Sequence, residues 1–315
     1  MAEASATYGS ETTTDELLEG IDLTGTTAVV TGAGGGLGLE TARALAGHGA
    51  SIVAAARDPA KAGRALAAAG LAPGATTVVE LDLGSLASVR AAADQIAAAH
   101  DRLDLVIANA GVMACPEGRT VDGFETQFGT NHLGHFLLVN RLVPLLVAGA
   151  PSRVVCLSSA AHRFGDVDLD DVSFERNEYA PGAGYSASKT ANVLYAVELD
   201  RRLRDRGVRA VAVHPGTILT DLGRHLSDES RAIMEARPSK SVGAGAATTV
   251  WAAVVAEADE IGGRYAEDCR VAAVSDEPPS LTEPLHGVRS RAVDPDRAAA
   301  LWALSEELVG ERFDL

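Results

Sequence analysis

The sequence is poor in cysteine, and its cysteines form none of the usual metal-binding or disulfide patterns. Cys115, Cys156 and Cys269 are odd in number and far apart, with no C-x-x-C pair. This argues against both a disulfide-stabilised fold and a zinc site. We expect three buried, small hydrophobic residues in a reducing compartment.

Basic residues are scarce relative to acidic ones. The chain has 27 Lys and Arg against 43 Asp and Glu, a formal net charge of −16. Such a surface repels nucleic acid and anionic membranes, so we predict no nucleic-acid partner. The charge otherwise indicates a solvated surface that keeps the protein soluble, and it says nothing about a substrate.

Long apolar runs are also absent. No uninterrupted stretch approaches the roughly 18 to 20 residues of a membrane-spanning helix. The first residues, MAEASATYGSETTTDE, lack the basic and apolar regions of a signal peptide. We therefore predict no membrane span and a cytoplasmic location.

Strand-like and helix-like segments alternate after a polar N-terminal stretch. Residues 1–20 are rich in Thr, Ser, Ala and acids without periodicity, and they predict a flexible arm. Six β-branched strands then alternate with helices: TTAVVTG, SIVAAAR, TTVVELD, LDLVIANAG, SRVVCLSS and VRAVAVHPG. The alternation predicts an α/β fold, a doubly wound Rossmann-type parallel sheet with helices on both faces. Without a linker or an internal repeat, residues 21–315 are predicted to form a single domain.

Two less regular segments interrupt this alternation, a polar insertion at about residues 160–182 and a segment at about 217–242. Open α/β sheets bind ligands at the carboxyl ends of their strands, so we expect 217–242 to line a substrate pocket there. The apolar side chains of this segment predict a hydrophobic ketone, aldehyde or alcohol as substrate. These side chains are Leu219, Leu222, Leu226, Ile233 and Met234.

A glycine-rich turn joins the first strand to the next helix. Glycines at such a turn let a pyrophosphate approach the backbone, and the helix N-terminus attracts its charge. The spacing T-G-x-x-x-G-x-G differs from the G-x-G-x-x-G of two-domain dehydrogenases. The predicted dinucleotide contacts here are Gly32, Gly34, Gly35, Gly36, Leu37 and Gly38.

Further motifs follow this turn, namely Asn109-Ala110-Gly111, Asn131, Ser159, Tyr185-x-x-x-Lys189 and Pro215-Gly216. In this order they resemble the short-chain dehydrogenase/reductase superfamily over about residues 21–270. The phrases HPGTILTDLGRHL and GGRYAEDCRVAAVS further resemble its retinol-dehydrogenase-like branch. The resemblance implies hydride transfer between a nicotinamide cofactor and a carbonyl or alcohol.

Tyr185 and Lys189 are suited to move the proton of such a reaction. They are four residues apart on a predicted helix and share a face, so the ammonium can favour the ionised phenol. Lowering the pKa of a tyrosine from about 10 to near 7 requires about 4 kcal/mol, which one close cation can supply at an effective dielectric near 20. We therefore expect Lys189 to lower the pKa of Tyr185.

The resemblance implies a role for each of these residues. Tyr185 exchanges the proton, Lys189 also holds the nicotinamide ribose, Ser159 hydrogen-bonds the substrate oxygen, and Asn131 holds a water in a proton relay. Ser159 is preferred to Ser158 because the family's catalytic serine is the second of such a pair. The 25 residues between Ser159 and Tyr185 exceed the usual spacing. The retinol-dehydrogenase-like branch has a similar insertion, which predicts a loop beside the substrate mouth.

The end of the second strand predicts the choice of cofactor. An acid about 20 residues after the glycines would bind the adenosine ribose of NAD, but Ala56 and Arg57 stand there. Asp58 precedes Pro59 and fits a helix N-cap, which is a structural role. Arg57 can pair with the 2′-phosphate of NADP. We predict NADP(H), with NAD(H) as the alternative in which Arg57 is a surface residue.

Weaker cofactor contacts are implied by the resemblance alone. Asp82 and Leu83 resemble the residues with which the family contacts the edge of the adenine. Asn109 resembles the residue that supports the family's central strand. Thr217 and Thr220 follow the Pro-Gly pair, at positions where the family contacts the nicotinamide amide and the phosphates. A threonine in a loop is often only a turn former, so these are weaker predictions. The remaining implied contacts are Ala110, Gly111, Pro215 and Gly216.

No metal site is expected, because none of the histidines pairs with a second ligand and an acid at a convincing spacing. We predict packing or surface roles for His132, His135, His162 and His214. The resemblance instead implies a homodimer or homotetramer, formed through helices that include the one bearing Tyr185.

Two other functions were compatible with the fold. A non-catalytic protein that senses NADP(H) or binds a partner is the main alternative, although such proteins often lose the tyrosine or lysine that this chain keeps. A nucleotide-sugar epimerase or dehydratase would normally need a larger C-terminal domain than the roughly 100 residues that follow Pro215.

Overall fold

Eight strands among the described residues form the sheet at whose edge the candidate site lies. The computed structural model describes residues 8–72, 74–279 and 285–315. The strands are β1 Thr27–Thr31, β2 Ser51–Ala56, β3 Thr76–Glu80, β4 Leu105–Ala108, β5 Ser152–Leu157, β6 Val208–His214, β7 Tyr265–Glu267 and β8 Arg270–Val271. They form one sheet in the order β3-β2-β1-β4-β5-β6-β7-β8. All neighbours are parallel except β7 and β8.

Helices cover both faces of this sheet. They are α1 Thr14–Leu18, α2 Gly36–Gly47, α3 Pro59–Ala68, α4 Leu86–Ala99, α5 Thr126–Phe128, α6 Gly134–Ala148, α7 Pro181–Leu203, α8 Asp228–Glu235, α9 Val242–Val250, α10 Ala258–Ile261 and α11 Pro295–Val309. The core on one face contains residues of α4, α6, α7 and α11. The core on the other face contains residues of α1, α2, α3 and α9. The predicted doubly wound, single-domain α/β fold is confirmed.

The six predicted strands are all present, and all except the edge strand β3 are mostly buried between the helical layers. Every residue of β4 and four of the five in β1 are buried, as expected for parallel strands between two helical layers. The antiparallel hairpin of β7 and β8 was not predicted. The three cysteines are buried and free, as expected. Among the described residues, no helix is long and apolar enough to cross a membrane.

The prediction of a flexible arm over residues 1–20 is wrong for its second half. Thr13 and Glu16 form a capping box that starts α1, because each side chain satisfies a backbone N–H of the other. Leu17 and Leu18 are fully buried in the core. The stretch from Tyr8 onward is thus part of the domain, and residues 1–7 lie outside the described residues.

Helix α11 packs along α7, the helix that carries Tyr185. Trp302 of α11 stacks on Tyr195 with ring centres 5.9 Å apart and meets Phe136 edge-on at 5.0 Å. Arg202 of α7 lies over the same indole, 4.3 Å from its centre. Homo-oligomerisation stays a prediction, but an assembly through this face of α7 would require α11 to move.

Candidate active site

A cavity of about 1190 Å³ opens at the carboxyl ends of the central strands. It is called the cofactor cavity here. Its walls contain nearly every residue proposed from the motifs: Gly32, Gly34, Gly35, Gly36, Leu37, Arg57, Asp82, Leu83, Asn109, Ala110, Gly111, Ser159, Tyr185, Lys189, Pro215, Gly216, Thr217 and Thr220. Gly38 and Asn131 lie behind the wall rather than in it.

The glycine turn is shaped to receive a pyrophosphate. Gly32 and Gly36 have φ values of +72° and +52°, a region that favours glycine. A Cβ on Gly38 would lie 2.5 Å from the carbonyl oxygen of Gly32, so Gly38 permits close packing of helix on strand. Gly35 caps α2 without a side-chain hydrogen bond from any described residue. The first backbone N–H groups of α2 can therefore donate hydrogen bonds to an anion. The glycine turn forms a cradle that fits the pyrophosphate of a dinucleotide.

Two cations lie where the adenosine half of a dinucleotide is expected. Asp58 accepts a hydrogen bond from the backbone N–H of Lys61 at 2.8 Å, which is the predicted N-cap of α3. Arg57 is exposed in the cavity wall beside it. Lys61 lies in the same wall and was missed by sequence reasoning. Its position in the first turn of α3, shortly after the end of β2, is the sequence feature that could have indicated it.

A buried hydrogen-bond network joins the ends of β1 and β4. The Thr31 hydroxyl accepts from the backbone N–H groups of Asn109 and Ala110, both at 2.9 Å. The same hydroxyl lies 2.9 Å from Nε2 of His135, whose Nδ1 lies 3.0 Å from the carbonyl oxygen of Asn131. A carbonyl only accepts, so Nδ1 carries the proton and Thr31 donates to Nε2. Neutral His135 thus fixes the floor of the cofactor cavity.

Asn131 stabilises the wall from behind. Its side-chain amide both accepts from the backbone N–H of Val112 at 2.8 Å and donates to the Val112 carbonyl at 2.9 Å. It also donates to the Ser188 hydroxyl at 3.0 Å. A Cβ on Gly111 would lie 3.1 Å from the amide oxygen, which explains the glycine. The relay water assigned to Asn131 stays a prediction.

Ser159, Tyr185 and Lys189 meet in the cofactor cavity, as the motifs predicted. Ser158 donates to the main-chain carbonyl of Lys189 at 2.8 Å, so its hydroxyl is engaged in holding α7. Ser159 interacts with the Tyr185 hydroxyl. This difference supports the choice of Ser159. Lys189 donates to the carbonyl of Leu157 at 2.9 Å, and its Nζ lies 5.6 Å from the centre of the Tyr185 ring.

The expected lowering of the Tyr185 pKa is not found. Burial raises the pKa of Tyr185 to about 12, opposed by the hydrogen bond with Ser159. Burial also lowers the pKa of Lys189 to about 8. Both side chains are buried, and desolvation penalises phenolate and ammonium alike. The attraction between the two charges is therefore outweighed by the cost of burying them, which depends on the fold and not on the spacing of the two residues.

A second, apolar chamber of about 550 Å³ adjoins the cofactor cavity. Six residues line both spaces, namely Met113, Ala161, Phe164, Tyr185, Met234 and Arg237. The other apolar walls of the chamber come from the two irregular segments and include Val172, Phe174, Leu226 and Ile233. Of the other residues proposed for a substrate pocket, Leu222 lines only the cofactor cavity, and Leu219 lies in neither wall.

The insertion at 160–182 is firmly attached to the domain. Asp166 pairs with Arg297 of α11 at 2.8 Å. Tyr179 donates to the carbonyl of Cys115 at 2.8 Å, which follows Met113 and Ala114 of the chamber wall. The insertion is therefore a fixed wall.

The segment over 217–242 is a lid with a fixed base. The backbone N–H of Lys240 donates to the carbonyl of Thr217 at 2.8 Å, and its ammonium pairs with Asp268 at 2.6 Å. Gly216, at φ +95°, starts the loop. All residues of α8, which forms the lid's centre, are at least partly exposed. Lys240 was missed by sequence reasoning because Asp268 is distant in the chain.

His132, His135 and His162 are buried within the domain, as expected for packing roles. His132 lies 2.8 Å from the Ser305 hydroxyl, and His162 accepts from the backbone N–H of Arg289 at 3.2 Å. His214 lies in the wall of the cofactor cavity. No cluster of three or more His, Cys, Asp or Glu suited to a metal is found among the described residues.

Comparison with known proteins identifies the family. The model of the short chain dehydrogenase family matches residues 26–231. Human retinol dehydrogenase 13 is 40% identical over 298 residues, covering 91% of this chain and 85% of that protein. An uncharacterised protein from Mycobacterium paratuberculosis has a similar structure, with a TM-score of 0.75 and 39% identity over 97% of this chain and all of that one.

A short chain dehydrogenase from Burkholderia cenocepacia J2315, solved in complex with NADP, is also similar. Its TM-score is 0.62 at 25% identity, over 78% of this chain and 96% of that one. The family match spans the glycine turn and the Ser159, Tyr185 and Lys189 cluster. The chain belongs to the short-chain dehydrogenase/reductase superfamily, in its retinol-dehydrogenase-like branch.

Proposed function

We propose that the protein is an NADP(H)-dependent oxidoreductase that transfers a hydride between nicotinamide and a carbonyl or alcohol of a hydrophobic small molecule. The observation that carries the proposal is the position of Tyr185, which lines both the cofactor cavity and the apolar chamber. From there its hydroxyl can reach the oxygen of a substrate in the chamber while the ring faces a bound nucleotide. Its neighbours Ser159 and Lys189 are the polar groups that such a reaction needs.

Each residue has a distinct part in the proposed reaction. Bound nicotinamide supplies or accepts the hydride. In reduction, Tyr185 gives its proton to the substrate oxygen, and its raised pKa keeps that proton in place until it is needed. Ser159 donates a hydrogen bond to the same oxygen as negative charge develops there. Lys189 places a cation beneath the phenol and holds the ribose.

Water is kept from this reaction by the walls around Tyr185. Phe164 and Met113 line both the chamber and the cofactor cavity, and the lid residues Leu226 and Met234 add apolar surface to the chamber wall. An apolar environment strengthens the hydrogen bonds to the substrate oxygen. It also favours apolar aldehydes and ketones, and turnover confined to highly charged substrates would contradict the proposal.

Replacing Arg57 with alanine is expected to weaken NADPH binding about 5- to 100-fold, equivalent to about 1 to 3 kcal/mol. Arg57 and Lys61 face the cavity where a 2′-phosphate would lie, and a guanidinium pairs well with phosphate. Fluorescence titration with NADPH and with NADH measures the effect, and NADH affinity should change by less than about twofold.

Arg64→Ala is the matched control for this titration. Arg64 is exposed on the same helix and lies outside the cavity wall, so its loss should leave both affinities unchanged. Preference of the wild-type protein for NADH would refute the role of Arg57 and leave the catalytic proposal standing. Binding of neither nucleotide would favour the non-catalytic alternative.

Carbonyl reduction is expected to slow as the pH rises above about 8. Burial lowers the pKa of Lys189 to about 8, so the ammonium is charged below that pH and loses its charge above it. Tyr185, with a pKa raised to about 12, stays protonated over the same range. A plot of log kcat/KM against pH should therefore be flat below pH 8 and fall above it.

Lys189→Arg tests the assignment of this transition. A guanidinium stays charged far above pH 8, so any activity that the variant retains should no longer fall near that pH. The same downward slope in both proteins would assign the transition to another group. The cytoplasmic location, expected from the N-terminal sequence and the lack of long apolar runs, stays a prediction.

A further inference from the structure

The N-terminal segment reaches the cofactor cavity, although no motif pointed to it. Ser10 and Glu11 form part of the cavity wall, together with the glycine turn at Gly34, Gly35 and Gly36. Both N-terminal side chains are exposed, and the Ser10 hydroxyl lies 3.4 Å from the Glu11 carboxylate. An acidic side chain thus lies in the wall that a dinucleotide phosphate would face.

Several contacts hold this segment in place. The Thr14 hydroxyl donates to Glu40 of α2 at 2.5 Å, and Glu40 lies one helical turn beyond Gly36. Arg43 pairs with Glu40 at 2.7 Å and with Asp15 at 2.8 Å. These contacts tie the segment to the first turns of α2, where the cofactor cradle begins.

The residues before α1 are fixed as well. The backbone N–H of Gly9 donates to the Thr12 hydroxyl at 2.9 Å, and the N–H of Thr12 donates to the Gly9 carbonyl at 3.2 Å. This turn presents Ser10 and Glu11 at its tip. Tyr8 packs against the core at the other end of the turn. The tip is thus held from both sides and stays beside the cradle.

We propose that residues 8–18 form a fixed wall of the dinucleotide cleft and that the Glu11 carboxylate repels the phosphates of the bound nucleotide. The inference rests on the proposed function, because it assumes a dinucleotide in the cofactor cavity. The repulsion opposes the attraction from the helix N-terminus of α2 and from Arg57 and Lys61. Glu11 thereby weakens binding and speeds cofactor release, which limits turnover in many enzymes with closing loops.

The test compares NADPH binding by the wild-type protein, Glu11→Gln and Glu11→Lys. We expect Glu11→Gln to bind NADPH about two- to fivefold more tightly at low ionic strength, and Glu11→Lys to bind more tightly still. The dissociation rate, measured by stopped-flow displacement, should fall by the same factors. The differences should shrink at about 0.5 M salt, because salt screens charges on an open surface.

Glu19→Gln is the matched control, since Glu19 is an exposed acid on the same segment outside the cavity wall. It should bind NADPH as the wild type does. Equal affinities for the wild type and Glu11→Gln, or weaker binding by Glu11→Gln, would overturn the repulsion and leave the proposed function intact. Failure of the wild type to bind any nicotinamide nucleotide would overturn both.

Discussion

Replacing Tyr185 with phenylalanine is expected to lower kcat for carbonyl reduction by about 10²- to 10⁴-fold, the range usually contributed by a general acid. The ring would still fill its place between the cofactor cavity and the apolar chamber, so NADPH affinity should change by less than about twofold. Only the proton donor is lost. Steady-state assays with a panel of apolar aldehydes and ketones, combined with fluorescence titration, measure the two effects separately.

Tyr195→Phe provides the matched control. Tyr195 lies on the same helix, and its hydroxyl donates to Asn140 at 3.0 Å, away from the cavity. Its loss removes one buried hydrogen bond, which costs about 1 kcal/mol of folding stability, and it should leave kcat near the wild-type value. Retention of turnover by Tyr185→Phe would refute Tyr185 as the acid and base. A large loss of NADPH affinity would instead assign it a binding role.

Three fully buried histidines are expected to remove about 5 kcal/mol of folding stability between pH 6.5 and pH 5. Burial lowers the pKa of His132 to about 3 and those of His135 and His162 to about 4. Below pH 6.5 the unfolded chain takes up a proton at each histidine while the folded protein does not. For each histidine the stability therefore falls by about 0.7 kcal/mol per pH unit at pH 6.5, and the slope rises towards about 1.4 kcal/mol per pH unit near pH 5. Three of them remove a large part of the 5 to 15 kcal/mol typical of a folded protein.

Urea unfolding at several pH values between 7.5 and 5 measures this loss. In His135→Gln the slope near pH 5 should be shallower by about 1.4 kcal/mol per pH unit, even if the variant is less stable at pH 7.5. His225→Gln is the control, because His225 is exposed in the lid and its removal should leave the slope unchanged. A slope that is the same in all three proteins would show that other groups cause the acid sensitivity.

The extent to which the fold could be predicted depended on element length. Strands β1 to β6 are apolar over four to seven residues, long enough to leave a pattern in the sequence. β7 and β8 have three and two residues, too few for a periodicity. Helix α1, in the stretch predicted to be a flexible arm, was missed for a different reason. The capping box of Thr13 and Glu16 is visible as T-x-x-E before Leu17 and Leu18, but the polar composition around it hid the signal.

The site was predictable where its residues are neighbours in sequence. Tyr185 and Lys189 share a helix face, and the glycine turn is one continuous segment. By contrast, Glu11 and Lys240 reach the cofactor cavity only through tertiary packing, and their sequence context gives no sign of it. The pKa of Tyr185 could not be predicted either, because desolvation depends on how deeply the side chain is buried.

Helix α7 and the lid differ in how much sequence change they can accept. Tyr185 and Lys189 lie on a helix that is covered along most of its length, so substitutions there disturb packing. The residues of α8 all touch solvent, and changes at such positions usually alter stability by less than about 0.5 kcal/mol. Selection can therefore reshape the proposed substrate wall while the residues proposed for proton transfer stay constant. Such a separation of the two regions favours relatives that share one reaction but act on different substrates.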